Sequence, residues 1–236
     1  MNPRYQIVLL DADNTLFDFT RAEDLAVDWL LASLSLPPEE KVRYLRINRA
    51  MWKKGDLGEI TQDALVVERF RLFLQETGVN ADPAEVNRAY LAKVAECSAL
   101  LPGAMELCRD LSKVCRLAIV TNGVTAVQKK RLAKSGLAPY IYGLYISQEM
   151  GWRKPQRQLF EAVFAQMGLN EGDKPQTVMV GDNLISDIKG GQNFGLDTIW
   201  LAPESAETAG TEVVPTYTVH TLPDVERLVL GNEKHR

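Results

Sequence analysis

Apolar runs recur along this chain, each followed by an amphipathic segment, and that rhythm restricts it to a parallel α/β sheet. The candidate strands are 5–10, 115–120, 142–146, 177–180 and 198–201, with Tyr217-Thr218-Val219 as a short sixth. Amphipathic helices are expected over 103–112, 124–135, 156–167 and 184–193. Pro155 suits the first turn of the third helix, and Gly136 and Gly168 suit positions just past helix ends. Strand–helix alternation of this kind packs helices on both faces of a parallel sheet.

One interval breaks the rhythm. Between Phe19 and Leu100 the pattern is helical throughout. Thr61 or a neighbour is placed to cap a segment whose apolar face carries Leu65, Val66, Phe70, Phe73 and Leu74. Asp82-Pro83-Ala84-Glu85 reads as a helix start, with a cap residue, Pro at the first position and Glu at the third. A crossover between parallel strands needs only a dozen or so residues. The interval is therefore read as a helical module, 19–100, inserted into a core formed by 1–18 and 101–236. The polar tail 231–236 is expected to fray.

Composition narrows the function. With 236 residues, 46% apolar and 25% charged, the chain is that of an ordinary globular protein. A net charge of −4 argues against binding a nucleic-acid polymer, which calls for a basic face. No apolar run is long enough to cross a membrane, and the N-terminal pattern lacks a signal peptide's shape. Cys97, Cys108 and Cys115 form no Cys-x-x-Cys pair and suit a reducing compartment, so a cytoplasmic location is expected. His220 and His235 are too few and too late for a histidine triad or a histidine-rich zinc site. Any metal would be a hard cation held by oxygen. Nothing in the pattern specifies an oligomer.

In an open parallel sheet, ligands bind beyond the carboxyl ends of the strands. The first strand delivers Asp11 and Asp13 there, the second Thr121-Asn122-Gly123, and the fourth Gly181-Asp182 with Asp187 a turn later. The third leads through Ser147 to Lys154-Pro155. Each fragment alone is an ordinary turn, cap or helix start. Acids crowded at one edge repel one another unless a cation lies among them. Mg²⁺ suits carboxylates combined with phosphate oxygens and water. The expected ligands are a carboxylate oxygen of Asp11, the backbone carbonyl of Asp13 and a carboxylate oxygen of Asp182, with Asp187 orienting from behind.

The alternation of Asp11 and Asp13 suggests a division of labour. Asp11 would attack phosphorus to give an aspartyl-phosphate, and Asp13 would protonate the leaving oxygen and later deprotonate the attacking water. Thr121, the Asn122 amide and Lys154 would hold the phosphoryl oxygens. Lys154 precedes a proline and is expected to be extended, outside the helix. In the helical module, Asn48 and Trp52 are the candidate contacts to a substrate base, a partly buried helix end being the plainer reading. Gly190-Gly191 and Gly195 read as close packing and a helix C-cap.

On these residues the chain resembles the haloacid dehalogenase (HAD) superfamily, in the arrangement with a helical cap after the first strand. The matching motifs are Asp11-Ala12-Asp13-Asn14-Thr15, Thr121-Asn122, Lys154-Pro155, and Gly181-Asp182 with Asp187. The resemblance implies a Rossmann-like α/β core with an inserted all-helical cap domain, Mg²⁺ as cofactor and an aspartyl-phosphate. It assigns Asp11 as nucleophile and Asp13 as general acid/base. The stretches DADNTLFDF, LLPGA, TNGVTAVQKKRLAKSGL, ISQEMGWRKP and GDNLISDIKGGQNFGLDTIWL are similar to those of bacterial house-cleaning pyrimidine 5′-nucleotidases. That implies a small phosphorylated metabolite, a nucleotide of the UMP, dUMP or dTMP type.

Sugar-phosphate phosphatases and phosphomutases of the same superfamily are the alternatives. Haloacid dehalogenases expel halide, which needs neither a proton nor a metal, so Asp13 and Asp182 would be superfluous there. A receiver-type phosphoacceptor module also combines acids, a Thr and a Lys on a parallel sheet. It is shorter, however, usually carries adjacent acids, and has no helical insertion.

Overall fold

The computed structural model describes residues 3–203 and 212–231. His235 and all but the first residue of the tail 231–236 lie outside the described residues. Among the described residues six strands form one parallel sheet: β1 (Ile7–Leu10), β2 (Arg116–Thr121), β3 (Gly143–Ile146), β4 (Thr177–Gly181), β5 (Asp197–Leu201) and β6 (Tyr217–Val219). Their order across the sheet is β3-β2-β1-β4-β5-β6. Val8 of β1 pairs with Leu117 on one side and Val178 on the other.

Side chains alternate between two buried faces, as a sheet covered on both sides requires. Val8, Leu10, Leu117, Ile119, Val178 and Val180 share one face with α5 (Ala104–Leu111) and α10 (Leu222–Leu230). Ile7, Leu9, Ala118, Val120 and Met179 share the other with α8 (Arg157–Met167) and Phe194. Gly136 and Gly168 adopt left-handed conformations at the ends of α6 (Thr125–Ser135) and α8, as expected of C-caps.

Two helix boundaries differ from the sequence expectation. Helix α8 starts at Arg157, with Gln156 as its N-cap, so Pro155 lies before the helix and not in its first turn. Residues 153–156 form a turn of their own: Gln156 N donates to Arg153 O at 2.7 Å, and the Gln156 side chain accepts from Arg153 N. The Lys154-Pro155 peptide is cis. The segment expected as one helix over 184–193 is a wide π-turn at Leu184–Lys189 followed by the short helix α9 (Gly190–Phe194). Asn183 caps it by accepting from the amides of Ile185 and Ser186. Gly190 and Gly191 do serve close packing, since a Cβ on Gly191 would lie 2.9 Å from Thr198.

The chain divides into two compact units, Met1–Asp18 with Ala99–Arg236, and Phe19–Ser98. The second contains α1 (Phe19–Ser33), α2 (Glu40–Asp56), α3 (Gln62–Thr77) and α4 (Pro83–Val94). Thr61 caps α3 and Asp82 caps α4, with Pro83 in the first turn. The interior is aromatic: Tyr44 stacks on Phe70 at 5.5 Å and meets Phe73 edge-on, with Tyr90 beside both Tyr44 and Phe70. Buried among them is Arg69, whose guanidinium lies over the Phe70 and Tyr90 rings.

Cys108 and Cys115 are buried, and burial pushes their thiols up to about 12 and about 11, which leaves them unreactive. Cys97 is half-buried. Among the described residues no helix is long and apolar enough to cross a membrane.

Candidate active site

The strand order reverses at β1. From it the chain builds outward through β2 and β3, then returns to the other side of β1 with β4, β5 and β6. Such a switch point opens a crevice at the carboxyl ends of the two central strands. Asp11 follows β1 there, its amide donating to Val180 O at 2.9 Å, and Asp182 follows β4.

The chain turns sharply after Asp11. Both Leu16 N and Phe17 N donate to Ala12 O, Asn14 N donates to Phe17 O, and Asn14 takes a left-handed conformation (φ 55°). Asparagine tolerates that region better than most residues.

Lys154 is the centre of charge. It is buried, with its Nζ 2.5 Å from Asp11 Oδ1 and 2.6 Å from Asp187 Oδ1. Burial disfavours its charge, but the Asp11 and Asp187 carboxylates outweigh this and hold its pKa above the usual lysine value. Its backbone is clasped by Asn122, whose Nδ2 donates to Lys154 O and whose Oδ1 accepts from Lys154 N, both at 2.9 Å. The Asn122 side chain thus fixes the lysine. From the motif alone, only its backbone amide is expected to take part. Thr121 is buried at the end of β2, and its hydroxyl accepts from Gly123 N at 3.0 Å, keeping its own proton to donate.

Asp11, Asp182 and Asp187 each offer a carboxylate oxygen, all within 4.8 Å of one another. Burial pushes Asp11 up to about 7, with Lys154 opposing and the charges of Asp187 and Asp13 adding. Asp182 is raised well above the ordinary carboxylate range by burial, then by Asp11 and Asp187. These are hard oxygen donors that, once ionised, carry more negative charge than one lysine offsets, so the set fits a hard dication. Asp187 Oδ1 is engaged by Lys154, and Oδ2 accepts from Asn183 N at 3.0 Å. Gly181 makes room for this acid, because a Cβ there would lie 2.2 Å from Asp187 Oδ2.

Asp13 meets two residues that the motif reading did not single out. Gln128 Nε2 donates to its Oδ2 at 2.6 Å, and Arg131 Nη1 pairs with its Oδ1. Both come from α6 and both are buried. Their only sequence signal is a pair of long polar residues three apart on the helix that follows Thr121-Asn122-Gly123.

In the helical unit, Asn48 is 4% exposed; its Nδ2 donates to Glu23 and its Oδ1 accepts from Arg69 at 2.8 Å. Arg69 also reaches Asn87, so Asn48 belongs to a buried polar network. Trp52 lies half-buried on the same helix.

The sequence profile of the haloacid dehalogenase-like hydrolases matches residues 5–195. The chain belongs to this family. Among its relatives, the HAD-hydrolase YfnB of Bacillus subtilis is 36% identical over 96% of each chain. A crystal structure of YfnB bound to magnesium superposes with a TM-score of 0.88, covering 96% of this chain and 99% of YfnB. The pyrimidine 5′-nucleotidase PynA of Streptococcus pneumoniae is 35% identical over 94% of this chain and 93% of its own. The pyrimidine 5′-nucleotidase YjjG of Escherichia coli is 34% identical over 96% and 98%. As a HAD-like hydrolase the chain is an enzyme, with the α/β core of the family.

Proposed function

We propose that this hydrolase is a Mg²⁺-dependent phosphomonoesterase of the cytoplasm, acting on pyrimidine nucleoside 5′-monophosphates of the UMP, dUMP and dTMP type. The observation that carries the phosphatase reading is the single lysine held between Asp11 and Asp187, beside a cluster of three acids at the sheet's switch point. The two relatives named pyrimidine 5′-nucleotidases support the substrate class.

Asp11 is assigned as the nucleophile. One of its oxygens forms a bond to phosphorus as the bond to the substrate's 5′-oxygen breaks, and Asp13 gives that oxygen a proton. In the second step Asp13 takes a proton from water, whose oxygen displaces the Asp11 carboxylate and releases phosphate. Lys154 and the Thr121 hydroxyl donate to the non-bridging oxygens throughout. Asp11, the Asp13 carbonyl and Asp182 are assigned to Mg²⁺, with Asp187 holding Lys154. The ion supplies charge neutralisation that lets an anionic carboxylate approach an anionic phosphate. The helical unit is assigned the role of a cap that excludes water during turnover. It suits a small metabolite and not a polymer.

The test is phosphate release from UMP, dUMP, dTMP, CMP, AMP, GMP and several sugar phosphates, with Mg²⁺ or with excess EDTA. EDTA-sensitive release that favours uracil and thymine nucleotides is expected. Release from sugar phosphates alone would overturn the nucleotide assignment and keep the chemistry. No release from any substrate would overturn both and favour a mutase or a phosphoacceptor module.

A further inference from the structure

We propose that Gln128 and Arg131 are positioning residues that fix the Asp13 carboxyl for proton transfer with the leaving-group oxygen. This rests on the reading of Asp13 as the general acid/base. Each Asp13 oxygen has its own donor, Gln128 Nε2 at 2.6 Å on Oδ2 and Arg131 Nη1 on Oδ1. Residues three apart lie on one face of a helix, so α6 presents both donors together. Gln128 and Arg131 are 2% and 0% exposed, whereas the Asp13 side chain keeps 25% of its surface accessible. The clamp is buried and the carboxyl it grips is open on one side.

Two further contacts make the clamp rigid. The Arg131 guanidinium carbon lies over the Phe17 ring, 4.4 Å from its centroid, and Phe17 closes the turn that carries Asp13 through a bridge between the two residues. Gln128 crosses directly over Gly123: a Cβ at that position would lie 2.0 Å from Gln128 Nε2. The glycine after Asn122 therefore opens the path by which Gln128 reaches Asp13. The Thr121-Asn122-Gly123 turn accordingly serves two acids. Asn122 holds the lysine that meets Asp11, and Gly123 admits the amide that meets Asp13.

Stability alone gives no reason for this arrangement. Burying an arginine against a carboxylate is often no better than an apolar pair of similar volume. What the clamp adds is direction. A carboxyl gripped through both oxygens cannot swing about its side-chain bonds, and proton transfer demands heavy atoms within hydrogen-bond reach.

The discriminating experiment varies the leaving group. Departure of a nucleoside alkoxide needs a proton, whereas departure of 4-nitrophenolate does not. For Gln128→Leu and Arg131→Met, kcat/KM for UMP is expected to fall by about 10–100-fold, part of the usual contribution of general acid catalysis. For 4-nitrophenyl phosphate the fall should stay within about 3-fold, since that step needs no acid. Arg131→Lys, which keeps the charge, should recover part of the loss. An equal loss on both substrates, or no loss on UMP, would overturn the proposal. Should Arg131→Met fail to fold, Gln128→Leu decides alone, because it leaves the buried charge pair intact. Asp13→Ala separates the two levels of the argument. A selective loss there with unselective Gln128 and Arg131 variants defeats only the clamp. An unselective or absent loss in Asp13→Ala defeats the acid/base reading beneath it.

Discussion

Removing the metal should make the stability of this protein fall as pH rises, in a window set by Asp11. Its carboxyl is buried and pushed up from 3.8 to about 7, burial being the main cause, with Lys154 opposing and Asp187 and Asp13 adding. Below about pH 4 the group is protonated in the folded and unfolded chain alike, and it contributes its full share. Between about pH 4 and 7 the unfolded chain releases its proton while the folded one keeps it. The folded state then binds more protons, so stability declines with rising pH. A rise from 3.8 to about 7 is worth on the order of 4 kcal/mol, a large part of the 5–15 kcal/mol typical of a folded domain. Asp182 is raised as well and acts in the same direction.

A dication among these acids favours their ionised forms and cancels the slope. At 100 times its dissociation constant it adds about 2.7 kcal/mol of its own. Urea denaturation at about pH 5 and about pH 8, in EDTA and in Mg²⁺, measures all four corners. Asp11→Asn, which cannot titrate, supplies the baseline for the other carboxylates. The expected result is a wild-type deficit at the higher pH, relative to Asp11→Asn, that is present in EDTA and absent in Mg²⁺. Equal stability of the metal-free protein at both pH values, after subtraction of that baseline, would refute the reasoning. So would a deficit that Mg²⁺ leaves untouched.

Asp11→Asn should lose turnover by on the order of 10⁴–10⁶-fold while its far-UV circular dichroism is unchanged, and substantial residual activity would remove it as nucleophile. Lys154→Met should cost about 3–5 kcal/mol at high pH, because it strands the buried carboxylates of Asp11 and Asp187. That cost should shrink toward pH 5, where Asp11 takes up a proton, and denaturation at both values tests it. Gly181→Ala drives a methyl into Asp187, so it should cost about 1–3 kcal/mol. Calorimetric titration of that variant should also show Mg²⁺ binding weakened by about 10–100-fold.

What could be read in the sequence was whatever repeats locally. The four inner strands announced themselves as short apolar runs, because a strand buried on both faces has no polar side to disguise it. The helical interval was equally plain, with Thr61 and Asp82 capping where the side-chain chemistry says they should. The acids and the lysine were found because they stand at a strand end, a turn beyond one, or before a proline. In a parallel sheet those ends converge whatever lies between them. The boundaries that went wrong, at Pro155 and over 184–193, are where the site imposes its own geometry. Residues 153–156 form a turn of their own ahead of α8, while Asp187 must turn inward to meet Lys154.

The residues that stayed hidden have roles written in another part of the chain. In TAVQKKRLAKS, Gln128 and Arg131 look no different from Lys129 and Lys130, and only the position of Asp13 tells the buried pair from the exposed one. Arg69 was invisible for the same reason, being an arginine on an apolar helix face whose partners Asn48 and Asn87 come from two other helices. The small motif residues follow a common logic that links both groups. Gly181 clears the space occupied by Asp187, Gly123 clears the space crossed by Gln128, and Asn122 grips the backbone of Lys154. In each case a short residue at a strand end is matched to a long or charged one arriving from elsewhere. A motif in this sheet is thus one half of a contact, and the other half sits where local pattern has no reason to mark it.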